Sequence, residues 1–190
     1  MIRPRTTGAR TALAPLAAGL ALGMVAPLFA APVITRTDRT ALYTPSEIMA
    51  AKRNDSLPVE VHGGPSARAT PAATTAPLQL PADVGGGRLV PVNTGSEAAE
   101  GTRIVLLFNT TDYNPETACG APSQGAARRA DGPLDVFAVL CEGKTFFSQA
   151  HLRDDDVSGE DDPGYANAMS QLFLALMPMG DSLEEDRPGR

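Results

Sequence analysis

The sequence predicts an α+β fold: a small two-layer domain in which a three- to four-stranded, largely antiparallel sheet carries one C-terminal amphipathic helix. Three observations predict it. Ile104–Phe108 and Val136–Cys141 are continuous apolar runs, which suit strands covered on both faces because alternate side chains point to opposite sides. Gly143 separates the second run from the β-prone stretch Thr145–Ala150, and a glycine there signals a tight hairpin. Tyr165, Met169, Leu172, Phe173 and Leu176 then recur at helical spacing and form one apolar stripe, with Pro178 and Gly180 to stop the helix.

The elements follow in chain order. Residues 1–30 place Arg3, Arg5 and Arg10 before an uncharged, Ala- and Leu-rich stretch that ends in small residues, the order of a secretory signal. A retained membrane anchor is the alternative, weakened by Pro15, Gly19, Gly23 and Pro27. The signal predicts an exported protein with no stable membrane span after cleavage. The Arg-, Ala- and Pro-rich composition, with Lys52 and Lys144 as the only lysines, points to GC-rich bacterial coding and so to a periplasmic or secreted location.

In 31–62 the run Thr44-Pro45-Ser46-Glu47 has the form of a capping box: Thr44 at the N-cap, Pro45 at N1, Glu47 at N3. It opens a helix to about Arg53, too short to persist unless it docks. A short strand can follow at Leu57–His62. Residues 63–87 hold nine Pro or Gly in 25 positions, and this composition predicts a linker. The stretch 88–180 carries seven of the nine aromatic residues and is predicted to be the folded domain, with a further short strand at Arg88–Val92. The acidic tail 181–190 is predicted to be disordered.

Composition excludes several functions. Sixteen Lys and Arg face 22 Asp and Glu, a net charge of −6, which excludes a generic nucleic-acid binder because such a protein needs a basic face to displace counterions. Two cysteines cannot build a four-thiolate zinc site. No Walker pattern or dinucleotide fingerprint follows Gly85-Gly86-Gly87. The Arg128-Arg129 pair reads as solvated.

Cys119 and Cys141 are predicted to form a disulfide, because two thiols in an oxidising compartment pair and no C-x-x-C redox spacing exists. The loop so closed is worth about 3 kcal/mol in the chain-entropy treatment. The acidic run Asp154–Asp162 matches the first half of a calcium loop: Asp154, Asp156 and Ser158 at its first three ligand positions, Gly159 at the turn, Asp162 further on. Tyr165 stands where the bidentate glutamate is required, and a solvated acidic turn leading into a helix is the plainer reading. Calcium is thus the one cofactor that the residues suggest. His151 lies beside these acids, so a hydrolase using His151 and nearby acids is an alternative. A Ser148–His151–Asp154 triad is opposed by strand geometry, which sends Ser148 and His151 to opposite faces.

With no convergent catalytic set, the sequence is read as a non-catalytic accessory or binding protein with a protein partner in the cell envelope. A hydrolase centred on His151 and a calcium-responsive module at 154–162 are the alternatives.

Overall fold

A computed structural model describes residues 31–122 and 132–179. The signal at 1–30, the Arg128-Arg129 pair and the tail at 181–190 lie outside the described residues. The chain runs β1 (Val33–Arg39), α1 (Pro45–Ala51), β2 (Ser56–His62), α2 (Pro71–Thr75), β3 (Arg88–Pro91), α3 (Glu97–Glu100), β4 (Thr102–Phe108), α4 (Pro115–Gly120), β5 (Leu134–Glu142), β6 (Thr145–Asp154) and α5 (Tyr165–Leu176). The 3-10 turn Ala82–Val84 precedes β3.

These strands make one six-stranded mixed sheet in the order β1-β6-β5-β4-β2-β3. The class is α+β, but the expected three- to four-stranded, largely antiparallel sheet with one C-terminal helix is overturned. β2 pairs in parallel with both β3 and β4, and helices are distributed along the chain. β2 and β3 fall where short strands were expected, at Leu57–His62 and Arg88–Val92, whereas β1 was not expected. β1 reads VITRTDR and is exposed over most of its length, so it shows no buried-face alternation. β2 contains Pro58, which ordinarily argues against an inner strand; pairing with β4 begins only at Val59, which makes the proline tolerable.

The predicted linker at 63–87 is likewise a packed crossover between two parallel strands. Leu78, Leu80 and Val84 are buried in the main core, together with Thr74 and Thr75. Few apolar anchors are needed because β2 and β3 supply the other wall. Gly85, Gly86 and Gly87 all take positive φ, and the Lys52 Nζ donates to the carbonyls of Gly85 and Gly86. A Cβ on Gly87 would stand 2.5 Å from the Asp55 carbonyl oxygen, so backbone approach requires glycine there.

The capping-box helix forms and docks through Ile48, which is buried. Thr44 makes no side-chain cap; its hydroxyl accepts from Ser46 Oγ instead. β5 and β6 form the predicted hairpin around Gly143 at φ +55. The α5 stripe is buried as predicted; Asp162-Pro163 has the sequence form of an N-cap followed by N1, but the helix begins two residues later, at Tyr165. Asp162 Oδ1 accepts from the Gly164 amide and closes a turn ahead of the helix.

Alternation along β4 and β5 separates two apolar layers. Ile104, Leu106, Phe108, Leu134, Val136, Ala138 and Leu140 face the main core with α5, α1 and the crossover. Val105, Leu107, Phe137, Val139 and Cys141 face a smaller layer roofed by Ala118 and Cys119 of α4. The Cys119–Cys141 disulfide, with Cα atoms 5.6 Å apart, ties that roof to the sheet.

Candidate functional site

The roofed face of the sheet carries more than apolar residues. The same alternation that sends Val105 and Leu107 to this side also sends Glu60 and His62 from β2, Arg103 from β4, Asp135 from β5, and His151 and Arg153 from β6. Two polar groupings result.

The first is centred on Arg103, which is buried. Its Nε donates to Glu60 Oε2, Nη1 to the Gly143 carbonyl at 2.8 Å, and Nη2 to the Cys119 carbonyl at 2.9 Å. One planar guanidinium therefore holds an inner strand, the hairpin turn and the disulfide-bearing helix in fixed relation, a task suited to its fork of donors. Burial pushes the Glu60 carboxyl upward, but contacts from His62, Arg103 and Thr94, with the Arg103 charge, outweigh it and hold the group at about 2. The His62 ring stands 3.8 Å from Glu60, longer than a hydrogen bond, so Arg103 carries the geometry. A cavity of about 370 Å³ lies beside this pair, lined by Thr94, Gly143 and Lys144 among others.

The second grouping lies towards the β1 edge. Thr35 and His151 are register partners, and Thr35 Oγ1 is 3.0 Å from His151 Nδ1. On the other side of the ring, His151 Nε2 is 3.0 Å from Asp135 Oδ1. In the neutral ring beside an ionised carboxylate, Nε2 carries the ring proton and Nδ1 accepts from the threonine hydroxyl. Arg153 lies 3.8 Å from the other carboxylate oxygen. The Tyr113 ring meets His151 edge-on at 4.8 Å and Phe137 at 5.6 Å, with the Arg36 guanidinium 4.6 Å over its centre. Tyr113 is held by the segment leading to α4, where Asn114 Oδ1 caps the helix by accepting from the amides of Glu116 and Thr117. This grouping is thus a hydroxyl, an imidazole and a carboxylate in series, walled by an aromatic ring.

Of the predicted residues, His151 and the Cys119–Cys141 bond belong to this face, and the acids of 154–162 and Ser148 fall elsewhere. Asp154 lies on the opposite face of the sheet from His151, so the acids of 154–162 do not serve that ring. Asp154 Oδ1 accepts from the Asp156 amide at 3.0 Å. Asp154, Asp156 and Asp162 line a cavity of about 230 Å³, whereas Ser158 is exposed and outside its lining. Among the described residues no group of three or more His, Cys, Asp or Glu is arranged to hold a metal ion. Ser148 is buried, and its Oγ donates to the Leu176 carbonyl at 2.6 Å, on the face away from His151.

The sequence reading missed Thr35, Asp135, Glu60 and Arg103. Arg103 and Asp135 each stand at the edge of an apolar run, and a charge at the start of a buried strand is a signal that could have been followed. Thr35 carries no comparable signal, because its partner is over 100 residues away. No family model, no curated protein and no solved structure matches the chain.

Proposed function

We propose that the chain is an exported accessory domain, periplasmic or secreted, that works by binding a component of the cell envelope. The observation that carries this reading is the Cys119–Cys141 disulfide, since such bonds persist in oxidising compartments and are rare in the cytosol. Among the described residues no helix is long and apolar enough to cross a membrane. The measurement that tests export is the intact mass of native protein, expected to lack residues 1–30 and to contain two bonded sulfurs. Material that starts at Met1 with two titratable thiols refutes it. Binding is tested by cross-linking in native envelopes, where a reproducible partner lost on reduction of the disulfide is expected.

A second reading, an enzyme of hydrolase type centred on His151, is favoured by one observation: the Thr35–His151–Asp135 series, with 3.0 Å at each link. It expects turnover of a hydrolysable substrate that His151→Asn abolishes while the melting temperature stays close to that of the parent.

A further inference from the structure

Resting on the second of those readings, we propose that Thr35 is a nucleophile for acyl transfer from carboxylic esters, with His151 as its general base and Asp135 as the residue that positions the ring. Nucleophile, base and orienting group must lie within hydrogen-bond reach of one another. Both links here are 3.0 Å. Three adjacent strands, β1, β6 and β5, supply one member each, so the series is built on paired backbone and not on a loop.

Access is graded in the sense that the chemistry needs. Thr35 is exposed, while the side chains of His151 and Asp135 are 12% and 9% exposed. A substrate therefore reaches the hydroxyl, and the imidazole–carboxylate bond is shielded from water. Beside Thr35 the strand is irregular: the register jumps from Thr35 to Asp38, and Arg36 has φ +51. Bulges and left-handed non-glycine residues are costly and cluster where a strand re-aims a side chain or stores function. The jump takes Arg36 and Thr37 out of the pairing register next to the hydroxyl. The Tyr113 ring, under Arg36 and edge-on to His151, holds the imidazole beside the hydroxyl. An edge strand admits an extended or bulky ester, which fits a substrate presented on a surface.

The step balances without a co-reactant other than water. Thr35 Oγ1 attacks the carbonyl carbon and its proton passes to His151 Nδ1. The carbon–alkoxy bond breaks, and the alcohol leaves with the electron pair and that proton. Water then attacks the threonyl ester, His151 takes a proton from it and returns it to Oγ1, and the carboxylic acid is released.

The test uses the processed full-length chain with p-nitrophenyl acetate as the probe. One acetyl group per chain is expected on Thr35, located by peptide mass spectrometry, with a matching burst of p-nitrophenol. Thr35→Val keeps the β-branched shape and is expected to lose the adduct, while Thr35→Ser retains it. His151→Asn is expected to slow acetylation by about 10²-fold or more. Asp135→Asn is expected to lower the maximal rate without changing the half-saturating ester concentration, an effect that a purely structural clasp would not produce. Thermal melts of each variant separate loss of chemistry from loss of fold. Hydrolysis that His151→Asn abolishes but Thr35→Val retains, with no threonyl adduct, overturns the nucleophile and leaves the enzyme reading standing. No adduct and no turnover in the folded parent overturn both.

Discussion

Replacing Arg103 by methionine removes the guanidinium that joins β2, the β5–β6 turn and α4, while keeping an unbranched apolar stem of similar reach. Three hydrogen bonds go, one of them to a carboxylate, and Glu60 is left 1% exposed with its partner gone. Breaking a buried pair from one side costs about 3–5 kcal/mol. The Glu60 carboxyl is held down from 4.5 to about 2 by His62, Arg103 and Thr94 together, so the pair with Arg103 is one part of that stabilisation. Because the folded-state value lies below the unfolded one, this stability is fully present above about 4.5 and is lost as pH falls towards 2.

In Arg103→Met the sign reverses. A buried carboxylate without its cation is easier to protonate, so the variant gains relative to the parent on acidification. Urea unfolding at pH 7 and at about pH 3 reads both effects. The expected result is a loss of about 3–5 kcal/mol at pH 7 that shrinks at the lower pH. Glu60→Gln combined with Arg103→Met is expected to recover part of the loss, since no charge is then stranded. A single-variant cost under about 1 kcal/mol at pH 7, or one equal at both pH values, refutes the assignment of Arg103 as the pin of this face.

Three further outcomes follow from the fold. Reducing the disulfide, or replacing Cys119 and Cys141 by serine, is expected to lower stability by about 3 kcal/mol in urea, with an unchanged midpoint as the contrary result. Gly87→Ala places a Cβ 2.5 Å from the Asp55 carbonyl at φ +118 and is expected to cost more than the ~1 kcal/mol gain that such a substitution brings at a compatible site; a rise in melting temperature contradicts the packed crossover. Millimolar calcium is expected to leave the melting temperature where it is, because Asp154 Oδ1 and Asp162 Oδ1 already serve the Asp156 and Gly164 amides. A rise reversed by chelator restores the calcium reading of 154–162.

Residues whose environment is local were legible in the amino-acid sequence. The apolar runs at 104–108 and 136–141, the hairpin at Gly143 and the α5 stripe follow from periodicity and glycine chemistry, which act over a few residues. The Cys119–Cys141 pairing was legible by elimination, since two thiols allow one bond. What the tertiary structure alone decided is everything that depends on partners distant along the chain. VITRTDR becomes a strand because β6 offers it an edge more than 100 residues later. The Pro- and Gly-rich 63–87 packs because β2 and β3 run parallel and need a crossover between them. Thr35, Asp135 and His151 meet for the same reason: sheet order places β1, β6 and β5 side by side, and no spacing along the chain encodes that order. Local propensity specifies which residues form strands, while the free energy of burying both faces of β4 and β5 selects which strands lie next to each other.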